Sequence, residues 1–248
     1  MKKLREIYHR DYDYSTYTES TMDTFHSLVM DTLETACKVK IKLGGRYLPK
    51  CHVMESQKYV CMDELMKDIQ NEECIVYSFG VGNDFSFEKT IAEMGCTVFA
   101  NDPTVDYPSY ISENFSFEKI GVVGTPDEDE LYQTLDKIFE NNGHTYSKIS
   151  YLKLDIEGAE LSGLPIWLKS GALKNVQQIA IEIHLLSPEE ETTLDFLKTF
   201  IDLNLIGNFR IINWEANNCW KNLNKKKDYF GLSAILLKKI NPVNICTR

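Results

Sequence analysis

Ile75-Val76-Tyr77-Ser78-Phe79-Gly80-Val81-Gly82-Asn83-Asp84-Phe85 reads as a short apolar strand that runs into a glycine turn and then a helix. Glycine at 80 and 82 permits positive φ and close backbone approach, so a ligand can lie against the turn and the N-terminus of the next helix. A bare Gly-x-Gly is weak by itself. Its place after the first strand of an alternating pattern gives it weight, because open α/β sheets take ligands at the carboxyl ends of their strands. A tight strand–helix connection without a ligand is the competing reading.

Outward from this stretch, strands read at 74–79, 96–101, 119–123, 149–155 and 177–183, and helices between them at 85–94, 128–141, 158–173 and 188–204. Such alternation predicts an open parallel sheet with helices on both faces. The segments 209–214 and 229–237 read as two strands joined by a polar loop with no helix signal, and so as an antiparallel pair. Toward the N-terminus, residues 1–20 form an arm without a period. Met22, Phe25, Val29, Leu33 and Ala36 recur at helical spacing and predict a helix over 22–41. Gly44-Gly45 and Tyr47-Leu48-Pro49 signal loops, and a short helix is expected near 62–69. The expected organisation is an N-terminal arm and helical extension over 1–72, followed by one α/β domain over 73–248.

Chemistry collects at the predicted strand ends. Asp102 lies about 20 residues beyond the glycine turn, where a carboxylate can accept bonds from ribose hydroxyls. Before Pro103 it can equally form an Asx-turn. Turn plus acid points to an adenosine-containing cofactor. A dinucleotide fingerprint would want a third glycine where this chain has Phe85, which argues against a dehydrogenase. Asp155, Glu157 and Glu160 stand where a buried strand meets a helix; burying them costs free energy, so they need partners or serve as helix caps. Glu157 and Glu160 are spaced to share a helical face. On the next strand end Glu182 and His184 alternate on one face, and a His beside carboxylates can act as a general base. Asn217 and Asn218 lie in the tail loop, either as polar contacts for a substrate or as turn formers.

Composition narrows the partners. With 27 basic and 37 acidic residues the net charge is −10, and the only basic cluster is Lys225-Lys226-Lys227, which argues against nucleic acid. No apolar run approaches the ~20 residues of a membrane span. Met1–Tyr14 has no secretory pattern, so a cytoplasmic location is expected, with a trimmed secretory-pathway chain left open. The seven cysteines include no Cys-x-x-Cys pair, so a structural zinc site is not expected. Buried thiols in a reducing compartment are the favoured reading, one N-terminal disulfide the alternative.

Tyr77–Glu88, together with Lys153-Leu154-Asp155-Ile156-Glu157-Gly158-Ala159-Glu160, resembles the FkbM-type methyltransferases, most closely their animal methyltransferase-like 24 branch. Gly44-Gly45 and Tyr59-Val60-Cys61-Met62-Asp63 resemble the same branch, and the likeness spans roughly residues 40–237. It implies a class I S-adenosylmethionine-dependent methyltransferase with a Rossmann-like sheet of seven strands, five parallel and a C-terminal antiparallel hairpin. Ser78, Gly80, Val81 and Gly82 would bind the cofactor, the two glycines against its methionine part. Asp102 would hold the ribose, and Asp155 would lie beside the transferring methyl group. The wider family's O-methylation implies a hydroxyl acceptor on a sugar or small metabolite. Asp155, Glu182 and His184 are the expected catalytic group, with His184 or Asp155 taking the hydroxyl proton, and Glu157 and Asn217 are expected to contact the acceptor. No metal is expected; a variant in which Asp155, Glu182 and His184 hold a divalent cation ranks below. An inactive S-adenosylmethionine-binding module is the alternative, then an NAD-dependent oxidoreductase. The animal branch includes membrane-anchored or secretory chains, which keeps the location open.

Overall fold

Val76–Phe79 and Tyr151–Leu154 are buried at every residue, as central strands covered on both faces must be. The structure is a computed structural model that describes residues 36–50, 52–184, 190–216 and 231–240. In chain order the elements are β1 (Lys40–Leu43), β2 (Arg46–Leu48), β3 (Val53–Glu55), β4 (Lys58–Cys61), α1 (Met62–Gln70), β5 (Ile75–Phe79), α2 (Ser86–Glu93), β6 (Thr97–Asn101), β7 (Tyr110–Ser112) and β8 (Phe115–Glu118). There follow β9 (Gly121–Val123), β10 (Tyr132–Thr134), α3 (Leu135–Asn141), β11 (Tyr151–Leu154), α4 (Ala159–Ser170), β12 (Gln178–His184), α5 (Glu190–Leu205), β13 (Phe209–Ala216) and β14 (Gly231–Lys239).

The main sheet has the order β13-β14-β12-β11-β5-β6-β8-β7. β8, β6, β5, β11 and β12 pair in parallel, the expected number of parallel strands, four of them near the expected residues. β14 runs antiparallel to β12 and β13 antiparallel to β14, which is the expected terminal hairpin. An eighth strand, β7, turns back along the β8 edge. Alternation sorts the side chains. Tyr77, Phe79, Leu152 and Leu154 face a core closed by Leu135 and Ile138 of α3, Leu164 and Trp167 of α4 and Phe196 and Phe200 of α5. Val76 and Tyr151 face the other core, built with Val60 and Cys61 of β4, Leu65 of α1 and Phe87 and Ile91 of α2.

Several expectations are corrected. The third parallel strand is Phe115–Glu118; the expected strand over 119–123 survives only as β9, which leaves the sheet to pair in parallel with β10. The helix expected from 128 begins at Leu135, because Thr134 caps it by accepting from the Lys137 amide at 3.4 Å. The helix expected over 22–41 lies outside the described residues as far as 35, and its last residues, 40–41, are in β1 instead, which pairs antiparallel with β4. The favoured reading of the cysteines as thiols fails for four of them. Cys37–Cys61 and Cys74–Cys96 are disulfides, with Cα atoms 5.8 and 4.6 Å apart. Such pairings depend on three-dimensional proximity, which spacings of 24 and 22 residues do not disclose.

Candidate active site

The register of the parallel strands aligns their carboxyl ends. Phe79 lies between Asn101 and Leu154, so Gly80, Asp102 and Asp155 emerge side by side. The Gly80 amide donates to the Asn101 carbonyl at 3.0 Å, and the Asp155 amide to the Phe79 carbonyl at 3.1 Å. Gly80 has φ 73° and Gly82 φ 59°, both in the region glycine tolerates. A Cβ at Gly80 would stand 1.6 Å from the Asp155 carbonyl oxygen, whereas one at Gly82 would meet nothing within 4 Å. The first glycine therefore lets β5 and β11 close together, and the second borders open space. Asp102 joins the next strand end to this turn: one carboxylate oxygen accepts from the Gly82 amide at 2.8 Å, the other from the Thr104 amide and hydroxyl at 2.8 and 2.6 Å.

Beside the turn, at the ends of β11 and β12, sits a cluster of acids with one buried cation. The Lys58 ammonium, 2% exposed, donates to Asp155 Oδ2 at 3.0 Å and to Glu182 Oε2. Lys58 reaches them because β4 is moored across β12. Gln178 Oε1 accepts from the Cys61 amide at 2.9 Å, and Gln178 Nε2 donates to the Cys61 carbonyl at 2.8 Å. His184 Nδ1 is 3.2 Å from Glu160 Oε1, while Nε2 points between Asp155 Oδ1 at 3.8 Å and Glu157 Oε2 at 3.6 Å. Glu160 also accepts from the Ile156 and Gly158 amides, both at 2.8 Å, and so fixes the strand-to-helix turn.

The charge states follow from these contacts. Burial alone would raise the Asp155 carboxyl, but the Lys58 ammonium beside it holds it down at about 2. Burial and the neighbouring Asp155 charge push Glu182 up despite Lys58. Burial would lower Lys58, and the two carboxylates raise it instead. Burial would also lower His184, yet the Glu160 contact and the charges of Asp155 and Glu157 raise it above its usual value.

Of the residues expected from sequence, Gly80, Gly82, Asp102, Asp155, Glu157, Glu182 and His184 fall in this strand-end crevice, whereas the Val81 side chain is buried in the core with Phe85 and Phe87. Ser78 does not face it: fully buried behind the turn, its hydroxyl donates to Glu88 Oε1 at 2.5 Å. Asn217 lies outside the described residues. Glu157 and Glu160 do not share a helical face, because α4 begins at Ala159; they approach His184 from opposite ring nitrogens. Sequence reading missed Lys58. Its only trace was an excess of carboxylates at the strand ends that called for a cation. Asp155, Glu157 and His184 each present a donor atom within 4.8 Å of the others, a set able to hold a cation. Glu182, expected in such a set, is turned to Lys58 instead.

A parallel sheet ending in a glycine turn, an acid on the next strand and an antiparallel terminal hairpin make a Rossmann-like α/β fold of the methyltransferase kind. The chain belongs to the methyltransferase-domain family, whose profile matches residues 2–229. Among curated proteins it is similar to the human "Probable methyltransferase-like protein 24", 28% identical over 194 residues, covering 71% of this chain and 52% of that protein. The rat protein of the same name is 27% identical over 194 residues. The chain thus spans about half the length of the curated relatives it matches. Among solved structures, the FkbM methyltransferase of Methylobacillus flagellatus has a TM-score of 0.42 at 13% identity, covering 66% of this chain and 44% of that one. A putative tRNA (m1A22) methyltransferase of Streptococcus pneumoniae, solved with S-adenosylmethionine, scores 0.38 at 10% identity over 72% of this chain and 73% of its own.

Proposed function

We propose that the chain is an S-adenosylmethionine-dependent O-methyltransferase acting on a hydroxyl of a sugar or small metabolite. The observation that carries this reading is the convergence of Gly80, Gly82, Asp102, Asp155 and His184 on one crevice in a chain of this family. The residues fit the cofactor: the backbone at Gly82 borders open space, and the crevice is rich in carboxylates that complement a sulfonium. Phe85, where a dinucleotide site would want glycine, is buried and stacked on Tyr107 with ring centres 4.2 Å apart, which supports this cofactor over NAD.

In this reading Gly80, Val81 and Gly82 cradle the methionine part and Asp102 accepts from the ribose. When bound, the cofactor supplies an electrophilic methyl group. Asp155, ionised at any physiological pH, lies beside the positive charge. A carboxyl held at about 2 is a poor base, so His184 takes the acceptor's proton, with Glu160 orienting its ring and stabilising the imidazolium. Glu182 completes the wall through Lys58, and Glu157, exposed beside His184, contacts the acceptor. Alignment of the acceptor oxygen with the methyl group accounts for much of the rate, on the order of 7–11 kcal/mol in favourable cases. The two disulfides support maturation in an oxidising compartment.

Calorimetric titration with S-adenosylmethionine, S-adenosylhomocysteine and NAD tests the cofactor. Micromolar binding of the first two, weakened in Asp102→Ala, is expected; binding of NAD alone would sink the reading. Transfer of labelled methyl to a panel of sugars and hydroxylated metabolites then tests the reaction. Binding with no transfer to any of them would favour a binding module.

A further inference from the structure

Behind the glycine turn lies a charged network that reaches the crevice only through the charge of Lys153, which helps keep Asp155 ionised. Lys153 of β11 and Ser78 of β5 are register partners on the face opposite Tyr77 and Leu154. The Lys153 ammonium, 4% exposed, donates to the Gly80 carbonyl at 2.9 Å and stands 3.4 Å from Glu88 Oε1 of α2. Ser78 donates to that same oxygen, and Glu88 is fully buried with its other oxygen, Oε2, unpartnered among the described residues. A buried ion pair with an orphaned oxygen is a poor stabilising device, because desolvating both charges offsets their attraction and apolar replacements are often neutral or better. Its presence here therefore calls for another reason.

Both backbone polar groups of Gly80 are engaged. Its amide is held by Asn101 and its carbonyl by Lys153, while Asp102 holds the Gly82 amide from the open side. Among the described residues, the only side chain gripping the turn from behind is that of Lys153, and Glu88 with Ser78 fixes where its ammonium can go.

We propose that Lys153, Glu88 and Ser78 form a strut that sets the Gly80–Gly82 turn in its cofactor-binding shape, with Lys153 as the positioning residue and Glu88 as its anchor. The proposal rests on the cofactor reading above. The strut never reaches the cofactor; it acts through the Gly80 carbonyl.

The double variant Lys153→Met with Glu88→Met separates positioning from stability. It is expected to fold with an unfolding temperature equal to or above that of the parent chain. Its affinity for S-adenosylhomocysteine should fall about tenfold or more by calorimetry. Lys153→Arg, which keeps a donor and a charge, should restore most of the affinity. A folded double variant that binds S-adenosylhomocysteine as the parent does would overturn the proposal. Amide exchange in the unliganded chain gives an answer independent of any cofactor. Exchange at Val81–Asn83 should quicken in the double variant while that of α5 and β14 holds, and unaltered protection at the turn would equally overturn it. Failure of the parent chain to bind either cofactor form would instead count against the proposed function. Should the double variant not fold, Ser78→Ala, which removes only one bond to Glu88, is expected to show a smaller rise in exchange at the same amides; no rise would count against the strut.

Discussion

A methyl group added at Gly80 collides with the backbone of Asp155, and one added at Gly82 fills open space, so the two substitutions should fail in different ways. Gly80→Ala forces β5 and β11 apart and is expected to cost more than about 3 kcal/mol, read as loss of a cooperative urea transition. Gly82→Ala leaves the strands alone and costs about 1–2 kcal/mol for holding alanine at positive φ. It should fold and still lose affinity for S-adenosylhomocysteine. His184 offers a second test at this scale. Its NMR titration midpoint is expected above 6.5, because the Glu160 contact and the Asp155 and Glu157 charges favour the imidazolium over the effect of burial. Glu160→Gln should bring the midpoint down; a midpoint at or below 6.5 in the parent chain would contradict the arrangement.

At the scale of elements, Gln178 decides where β4 lies, and so where Lys58 lies. Gln178→Leu would leave the Cys61 amide unpaired in a buried place, at about 1–3 kcal/mol, while the Cys61 carbonyl keeps its bond in the first turn of α1. A lower urea midpoint with an unaltered slope is the expected record. The mooring also explains what the sequence could disclose. Four of the five parallel strands were legible because each is a short apolar run bounded by polar turns, and Gly80, Asp102, Asp155 and His184 were legible because they end those runs. Lys58 was not, since it meets Asp155 and Glu182 across 97 and 124 residues and no local pattern marks such a contact. Glu88 hid for a related reason, an acid on a helix that reads as surface yet is fully buried against Ser78. β8 was misplaced by a few residues because Phe115–Glu118 and Gly121–Val123 are both strands, and only pairing shows which one joins the sheet.

For the molecule as a whole, one disulfide ties in a segment that the parallel sheet does not hold, and the other reinforces a strand pair inside the sheet. Cys37–Cys61 closes the chain ahead of the sheet onto β4, and Cys74–Cys96 staples the starts of β5 and β6. Loops of 24 and 22 residues correspond to about 3 kcal/mol of stabilisation each in the chain-entropy account. Reduction under native conditions should therefore lower the unfolding temperature markedly, and a chain insensitive to reductant would contradict the bridges. The first of them encloses the β2–β3 hairpin, whose turn carries the exposed Lys50. A protease that cuts after Lys50 severs the polypeptide inside a covalent ring. The nicked molecule would then migrate as one chain on a gel run without reductant and as two with it, and the N-terminal piece would stay tethered to the strand that carries Lys58.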